Sequence, residues 1–140
     1  DGEERNHLIE LSASLGISEH VIFTGFVRGQ KLRDIYSISD VFVMSSVSEP
    51  FGLTALEAAH HGDVLILTKQ SGVSEVIWFA LKYDFWDKNK LADEILAVAS
   101  NKSLQQALSN NVKHEYNQIS WDQVAKKCLK VYNNLKRKRK

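Results

Sequence analysis

Two carboxylates, Glu49 and Glu57, stand eight residues apart around a glycine in the run Glu49-Pro50-Phe51-Gly52-Leu53-Thr54-Ala55-Leu56-Glu57. The chain before them, Asp40-Val41-Phe42-Val43-Met44-Ser45-Ser46, is apolar and β-branched and ends in small polar residues, so it reads as a strand. The chain after Gly52 reads as a helix to His61, closed by Gly62. Glu49 therefore falls on a loop past a strand end, and the opening amides of a helix lie near Gly52, Leu53 and Thr54. Those amides have no partner inside the helix and carry the positive end of its dipole, which suits a phosphate. Gly52, with no side chain, lets a ligand approach the backbone. A carboxylate accepts hydrogen bonds and donates none, which suits vicinal hydroxyls such as those of a sugar or ribose. Thr54 and Glu57, three residues apart, share one helix face. Amides for a phosphate, with an acid on either side for hydroxyls, would form a nucleotide-sugar site. On spacing alone, a helix-entry charge at Glu49 and a solvated Glu57 account for the same pair.

The elements that must hold this loop follow from the rest of the pattern. Residues 3–15 read as a helix with Leu8, Leu11 and Leu15 on one stripe and Gly16 as the stop. His20-Val21-Ile22-Phe23 suits a short buried strand, and a helix over 30–38 turns Leu32, Ile35 and Tyr36 inward. Asp63 to Thr68 is a further strand, Gly72 and Ser74 mark a turn, and Ala80 to Tyr83 is a short last strand. Helices then occupy about 88–99, 102–116 and 121–136. The last starts at a capping box of Ser120 and Gln123, with Ile119 stapling to Val124. Alternating strands and helices predict an α/β fold, a doubly wound, Rossmann-like parallel sheet covered on both faces with right-handed crossovers. Ligands of such sheets sit outside the carboxyl ends of the strands, which is where the Glu49 loop falls.

Composition bounds the remaining classes. A chain of 140 residues with 44% hydrophobic and 25% charged residues is one globular domain in size. It has no apolar run near the roughly 18 residues that span a bilayer. The acidic start Asp1-Gly2-Glu3-Glu4 has no apolar stretch behind it and does not read as a secretory signal. One cysteine, Cys128, closes no internal disulfide and builds no Cys-rich zinc site. Residues 126–140 carry eight basic and no acidic side chains, whereas the first 125 carry ten basic and 17 acidic ones. The basic end, 136–140, is either a solvated terminus or a contact for anionic lipid headgroups. The acidic body offers no extended basic face for nucleic acid.

Other residues have ordinary roles. Adjacent His60 and His61 diverge by about 100° on a helix and suit its C-terminal dipole rather than a shared metal. Cys128 reads as a packing residue on the stripe Val124, Cys128, Val131, Leu135. Trp78, Phe79, Phe85 and Trp86 read as core or domain-contact residues. Glu75 reads as an acceptor for nearby backbone donors, and Ser45 and Ser46 as rim residues.

The run from Glu49 to Ala58 resembles the signature of the retaining glycosyltransferases of family 4, in which two glutamates flank seven residues. Phe23-Thr24-Gly25-Phe26-Val27 is similar to that family's strand and nucleotide-base loop, and Leu32 to Met44 to its next helix and strand. Gly62 to Thr68, Ser71-Gly72-Val73-Ser74-Glu75-Val76-Ile77 and Ser120-Trp121 resemble its later segments, so the likeness covers nearly the whole chain. It implies the C-terminal, donor-binding half of a two-domain GT-B fold lacking its first strands, with an N-terminal acceptor domain as a missing partner. It also implies roles. Glu49 is the catalytic residue, contacting hydroxyls of the transferred sugar and helping to hold the reacting carbon, and amides near Gly52, Leu53 and Thr54, beside Phe51, meet sugar and diphosphate. Glu57 accepts from the ribose, and the backbone of Phe26 and Val27 reads the base. The implied substrate is a UDP- or GDP-linked sugar, with no cofactor and no metal, in the cytoplasm. The family's Arg and Lys for the departing diphosphate lie upstream of the position matching Asp1; Lys31 and Arg33 fall after the base loop and do not replace them. Val64 in place of a common Pro, Ser71-Gly72 in place of a double glycine, and His60-His61 in place of small residues depart from the pattern. Two other readings remain: a GT-B sugar-nucleotide epimerase, and a non-catalytic α/β interaction domain docking through its basic tail.

Overall fold

The computed structural model describes residues 2–138, with the side chains of Arg137 and Lys138 left aside. The chain divides into two compact units, residues 1–35 and 36–140. In the first, helix α1 (Arg5–Ser14) is followed by a 3₁₀ turn, Ser18–His20, and by an extended stretch leading to helix α2 (Gln30–Ile38), whose last turn from Tyr36 belongs to the second unit. Leu8 and Leu11 on α1 and Leu15 just past its end are exposed, and it is Ser12 that is buried, so the apolar stripe does not mark a core-facing side. His20–Phe23 forms no strand: no described strand pairs with it, and an extended segment without a ladder partner is not a strand. Ile22, 86% exposed, is accordingly not a core residue.

The second unit is an α/β layer structure. Strands β1 (Val41–Met44), β2 (Val64–Thr68) and β3 (Leu81–Tyr83) form a parallel sheet in the order β1-β2-β3. Val41 lies opposite Val64 and Met44 opposite Leu67, and Ile66 pairs with Leu81 and Thr68 with Tyr83. All five β2 residues are buried, the pattern of a central strand covered on both faces. Helix α3 (Leu53–His61) joins β1 to β2, and its inward residues Ala55, Ala58 and Ala59 are fully buried. Small side chains on that face let α3 lie close to β1 and β2, which it contacts. A 3₁₀ turn, Gly72–Glu75, leads from β2 toward β3.

Three further helices follow among the described residues: α4 (Lys88–Ser100), α5 (Lys102–Gln118) and α6 (Trp121–Lys138). Each starts at a side-chain cap. Asp87 accepts from the Lys90 amide (2.9 Å), Asn101 from Leu104 (3.0 Å) and Ser120 from Gln123 (3.2 Å). Helix α5 packs on α3, α4 and β2, and α4 on β2 and β3. Helix α6 is exposed along its described length, so Cys128 is exposed rather than packed. Trp78, Phe79, Phe85 and Trp86 are likewise exposed and belong to no core. Among the described residues, no helix is long and apolar enough to cross a membrane.

Candidate functional site

Two backbone-directed bonds tie the loop after β1 to the end of β2 and its loop, and a third braces that second loop on itself. The Thr68 hydroxyl donates to the Ser46 carbonyl (2.8 Å), the buried Ser71 hydroxyl to the Thr68 carbonyl (2.7 Å), and the Gly72 amide to the Glu49 carbonyl (2.9 Å). Glu49 and Ser71 thereby form an isolated parallel bridge that prolongs the β1–β2 ladder past the strand ends. Gly72 permits this close approach. A Cβ there would overlap the Pro50 carbonyl oxygen and stand 3.2 Å from the Phe51 Cα. Both obstacles are backbone and cannot rotate aside.

Gly52 turns the chain from this bridge into α3. Its φ of +98° is left-handed, and an added Cβ would meet Val73 Cγ1 at 2.8 Å and Met44 Cε at 3.1 Å. Glycine is thus required twice, by conformation and by space. The amides of Ala55 and Leu56 return to the Gly52 carbonyl, while no side chain caps the helix. The amides of Leu53 and Thr54 precede the first helical acceptor and open this end toward a ligand. Leu53, Thr54 and Phe51 are exposed, and the Gly52 backbone is buried beneath them.

The two carboxylates have different settings. Glu49 is half-buried, and its Oε1 accepts from the Phe51 amide at 3.2 Å, which holds it over its own loop. Glu57 is exposed on α3, and its Oε2 accepts from the Tyr36 hydroxyl at 3.3 Å. Burial, then the charge of Glu57 and its hydrogen bond, push the Tyr36 phenol up to about 12. Of the residues singled out by sequence, Glu49, Phe51, Gly52, Leu53, Thr54 and Glu57 share one loop-and-helix segment. Phe26 and Val27 lie in the other unit, where Phe26 is exposed beneath the Arg28 guanidinium (4.4 Å). The Tyr36 hydroxyl is a partner of Glu57 that sequence spacing does not bring out. Its signal was an aromatic residue with a polar tip on an inward stripe. Glu75 is exposed, and Ser46 takes part through its carbonyl. Among the described residues, no three His, Cys, Asp or Glu side chains are grouped so as to hold a metal ion.

A shallow hollow lined by Ser39, Asp40, Gly62, Lys102, Gln105 and Ser109 lies at the other end of the sheet, before β1 and β2. Asp63 is fully buried there, with Oδ2 unpartnered, and burial raises its carboxyl above the ordinary aspartate value.

Comparison with known proteins places this fold in a class. The family described as glycosyl transferases group 1 matches residues 1–115. The chain belongs to that family, and its α/β fold is that of the Rossmann-like C-terminal domain of GT-B glycosyltransferases. An uncharacterized glycosyltransferase of Methanocaldococcus jannaschii is 35% identical over 136 residues, which cover 94% of this chain and 35% of that protein. The chain thus spans about a third of that relative's length. Among solved structures, sucrose-phosphate synthase from Thermosynechococcus elongatus superposes with a TM-score of 0.79 at 26% identity, covering 96% of this chain and 35% of that one. Anabaena HepE in complex with UDP-glucose superposes with a TM-score of 0.75 at 20% identity, covering 84% of this chain and 33% of the other.

Proposed function

We propose that the chain is the donor-binding part of a retaining glycosyltransferase of family 4, taking a UDP- or GDP-linked sugar and working with an N-terminal acceptor domain. The observation that carries this reading is the uncapped start of α3 directly after the Glu49 loop, a loop that the Gly72 amide anchors through the Glu49 carbonyl (2.9 Å). Family membership supports it, as does a structural neighbour of the same fold solved with UDP-glucose.

In this reading the diphosphate rests on the Leu53 and Thr54 amides, at the positive end of the α3 dipole. As the bond from the anomeric carbon to the diphosphate oxygen breaks, its electron pair stays on the phosphate, and these preorganised donors stabilise the developing charge. Glu49 accepts from hydroxyls of the sugar and steadies the oxocarbenium-like carbon. The acceptor hydroxyl attacks from the face the diphosphate leaves, passes its proton to the departing phosphate oxygen, and the configuration is retained. Glu57 accepts from the ribose hydroxyls. None of these steps requires a resident cofactor.

Calorimetric titration with UDP, GDP and their glucose and mannose conjugates tests the reading. It expects binding of at least one nucleoside diphosphate, weakened about tenfold or more by Glu57→Gln, the loss of about 1.4 kcal/mol or more. Glu49→Gln should weaken the sugar conjugate more than the bare diphosphate. Indifference to every nucleoside diphosphate would favour the non-catalytic interaction domain.

A second reading concerns the basic end. On α6, Trp121, Val124, Val131, Tyr132 and Leu135 are exposed along one arc, Lys127 flanks it, and Lys126 and Lys130 lie on the opposite arc. That amphipathic pattern supports contact with anionic lipid headgroups. The tail residues 137–140, part of the same expectation, lie outside the described side chains. Sedimentation with phosphatidylglycerol vesicles but not with phosphatidylcholine vesicles is the expected result, and equal behaviour with both would end this reading.

A further inference from the structure

We propose that Tyr36 is a positioning residue for nucleotide recognition, holding the Glu57 carboxylate in the orientation that meets the ribose. The inference rests on the donor-site reading and adds to it a residue from a different element. Glu57 is exposed on α3, and a free glutamate there would sample several rotamers, each lost on binding. The Tyr36 hydroxyl donates to its Oε2 at 3.3 Å. The phenol is itself fixed. Tyr36 is 7% exposed, and its ring stacks on His61 at 5.7 Å and tilts against Phe42 at 6.1 Å. His61 is held in turn by the Ser37 hydroxyl, 3.2 Å from Nδ1. The rigid partner is therefore the tyrosine, and the mobile one is the glutamate.

A carboxylate oxygen has two lone pairs, so Oε2 can accept from Tyr36 and from one ribose hydroxyl together, leaving Oε1 for the second. With its pKa near 12, the phenol keeps its proton at any physiological pH and acts as donor throughout. The separation of 3.3 Å is long for an O–H···O bond and leaves room to shorten when a ligand orders the carboxylate.

The test compares uridine and guanosine diphosphates with their 2′,3′-dideoxy analogues, titrated calorimetrically into the wild-type chain, Tyr36→Phe and Glu57→Gln. The inference expects Tyr36→Phe to weaken the ribonucleotide about tenfold and the dideoxy analogue less than twofold. Glu57→Gln should reproduce that selectivity, and the double variant should lose little more than either single one. Equal losses for both analogues in Tyr36→Phe would mean a merely structural role and would overturn the inference. So would a Glu57→Gln variant that loses ribose selectivity while Tyr36→Phe keeps it. If Tyr36→Phe does not fold, the Cζ resonance of Tyr36 in wild-type chain carrying 13C-labelled tyrosine replaces it: it should shift on adding the ribonucleotide and not the dideoxy analogue, and a resonance that responds equally to both counts against the role. Failure of the wild type to bind any ribonucleotide overturns the donor-site reading itself and this inference with it.

Discussion

Substituting Gly72 by alanine attacks the joint between the two loops without touching any side chain proposed to meet the ligand. The added methyl group overlaps the Pro50 carbonyl oxygen and crowds the Phe51 Cα, both of them main chain. The Glu49–Gly52 segment must therefore back away from the 71–73 turn. Overpacking of this kind costs about 1–3 kcal/mol. The separation also stretches the Gly72-to-Glu49 hydrogen bond, worth about 1 kcal/mol. The sum, about 2–4 kcal/mol, lowers the melting temperature by roughly 6–12 °C at about 3 °C per kcal/mol for a domain of this size. Because Glu49 and the α3 amides move with the displaced segment, nucleoside diphosphate affinity falls as well. Gly16→Ala is the comparison: Gly16 has φ +68° with nothing within 4 Å of an added Cβ. It should cost about 1–2 kcal/mol of left-handed strain and leave affinity unchanged. Differential scanning calorimetry with ligand titration reads both quantities. A Gly72→Ala variant no less stable than Gly16→Ala, with undiminished affinity, would refute the coupling of these loops.

Two further outcomes concern ionisable groups. Native Tyr36 keeps its proton to about pH 12, while the unfolded chain releases it near 10.0. The folded state thus binds more protons between these values, and stability falls as pH rises through them. The stability is fully present below pH 10 and about 2–3 kcal/mol lower at 12. Tyr36→Phe should remove that share of the alkaline slope in urea melts, leaving the share of Tyr83, whose pKa burial also raises; an unchanged slope contradicts the Tyr36 environment. Asp63, raised above 3.8 by burial, has the same sign: its native form prefers the proton, and stability is lost as pH rises through its raised value. Asp63→Asn should therefore flatten the pH dependence in the acid range and raise stability at pH 7 by about 1 kcal/mol; a destabilised variant would show the charged carboxylate to be held by its surroundings.

Local signals were read correctly where the structure depends on neighbours in sequence. β1 ends before small polar residues, α3 begins after Gly52 and ends at Gly62, and α6 starts at the Ser120 cap. Periodicity also gave α4 and α5 within two residues of their ends. What failed depends on partners distant in sequence. His20–Phe23 has strand-like residues but no paired edge, and a strand exists through its ladder. The leucines of α1 and Cys128 of α6 keep helical spacing, yet spacing says which residues share a face and not what covers it. At the site, the acids and the glycine turn were legible because one ten-residue run contains them. The Tyr36–Glu57 bond, spanning 21 residues, and the Gly72–Pro50 contact were not, since each needs two elements brought together by the sheet.

The central claim is that the open end of α3 receives a diphosphate. Amide chemical-shift mapping of the isotope-labelled chain during addition of UDP or GDP tests it most directly. The account predicts that the largest saturable shifts fall on Gly52, Leu53 and Thr54, with Gly72 following through its bond to Glu49. Saturable binding that leaves these amides unmoved and shifts the Ser39–Gln105 hollow at the opposite end of the sheet would contradict it.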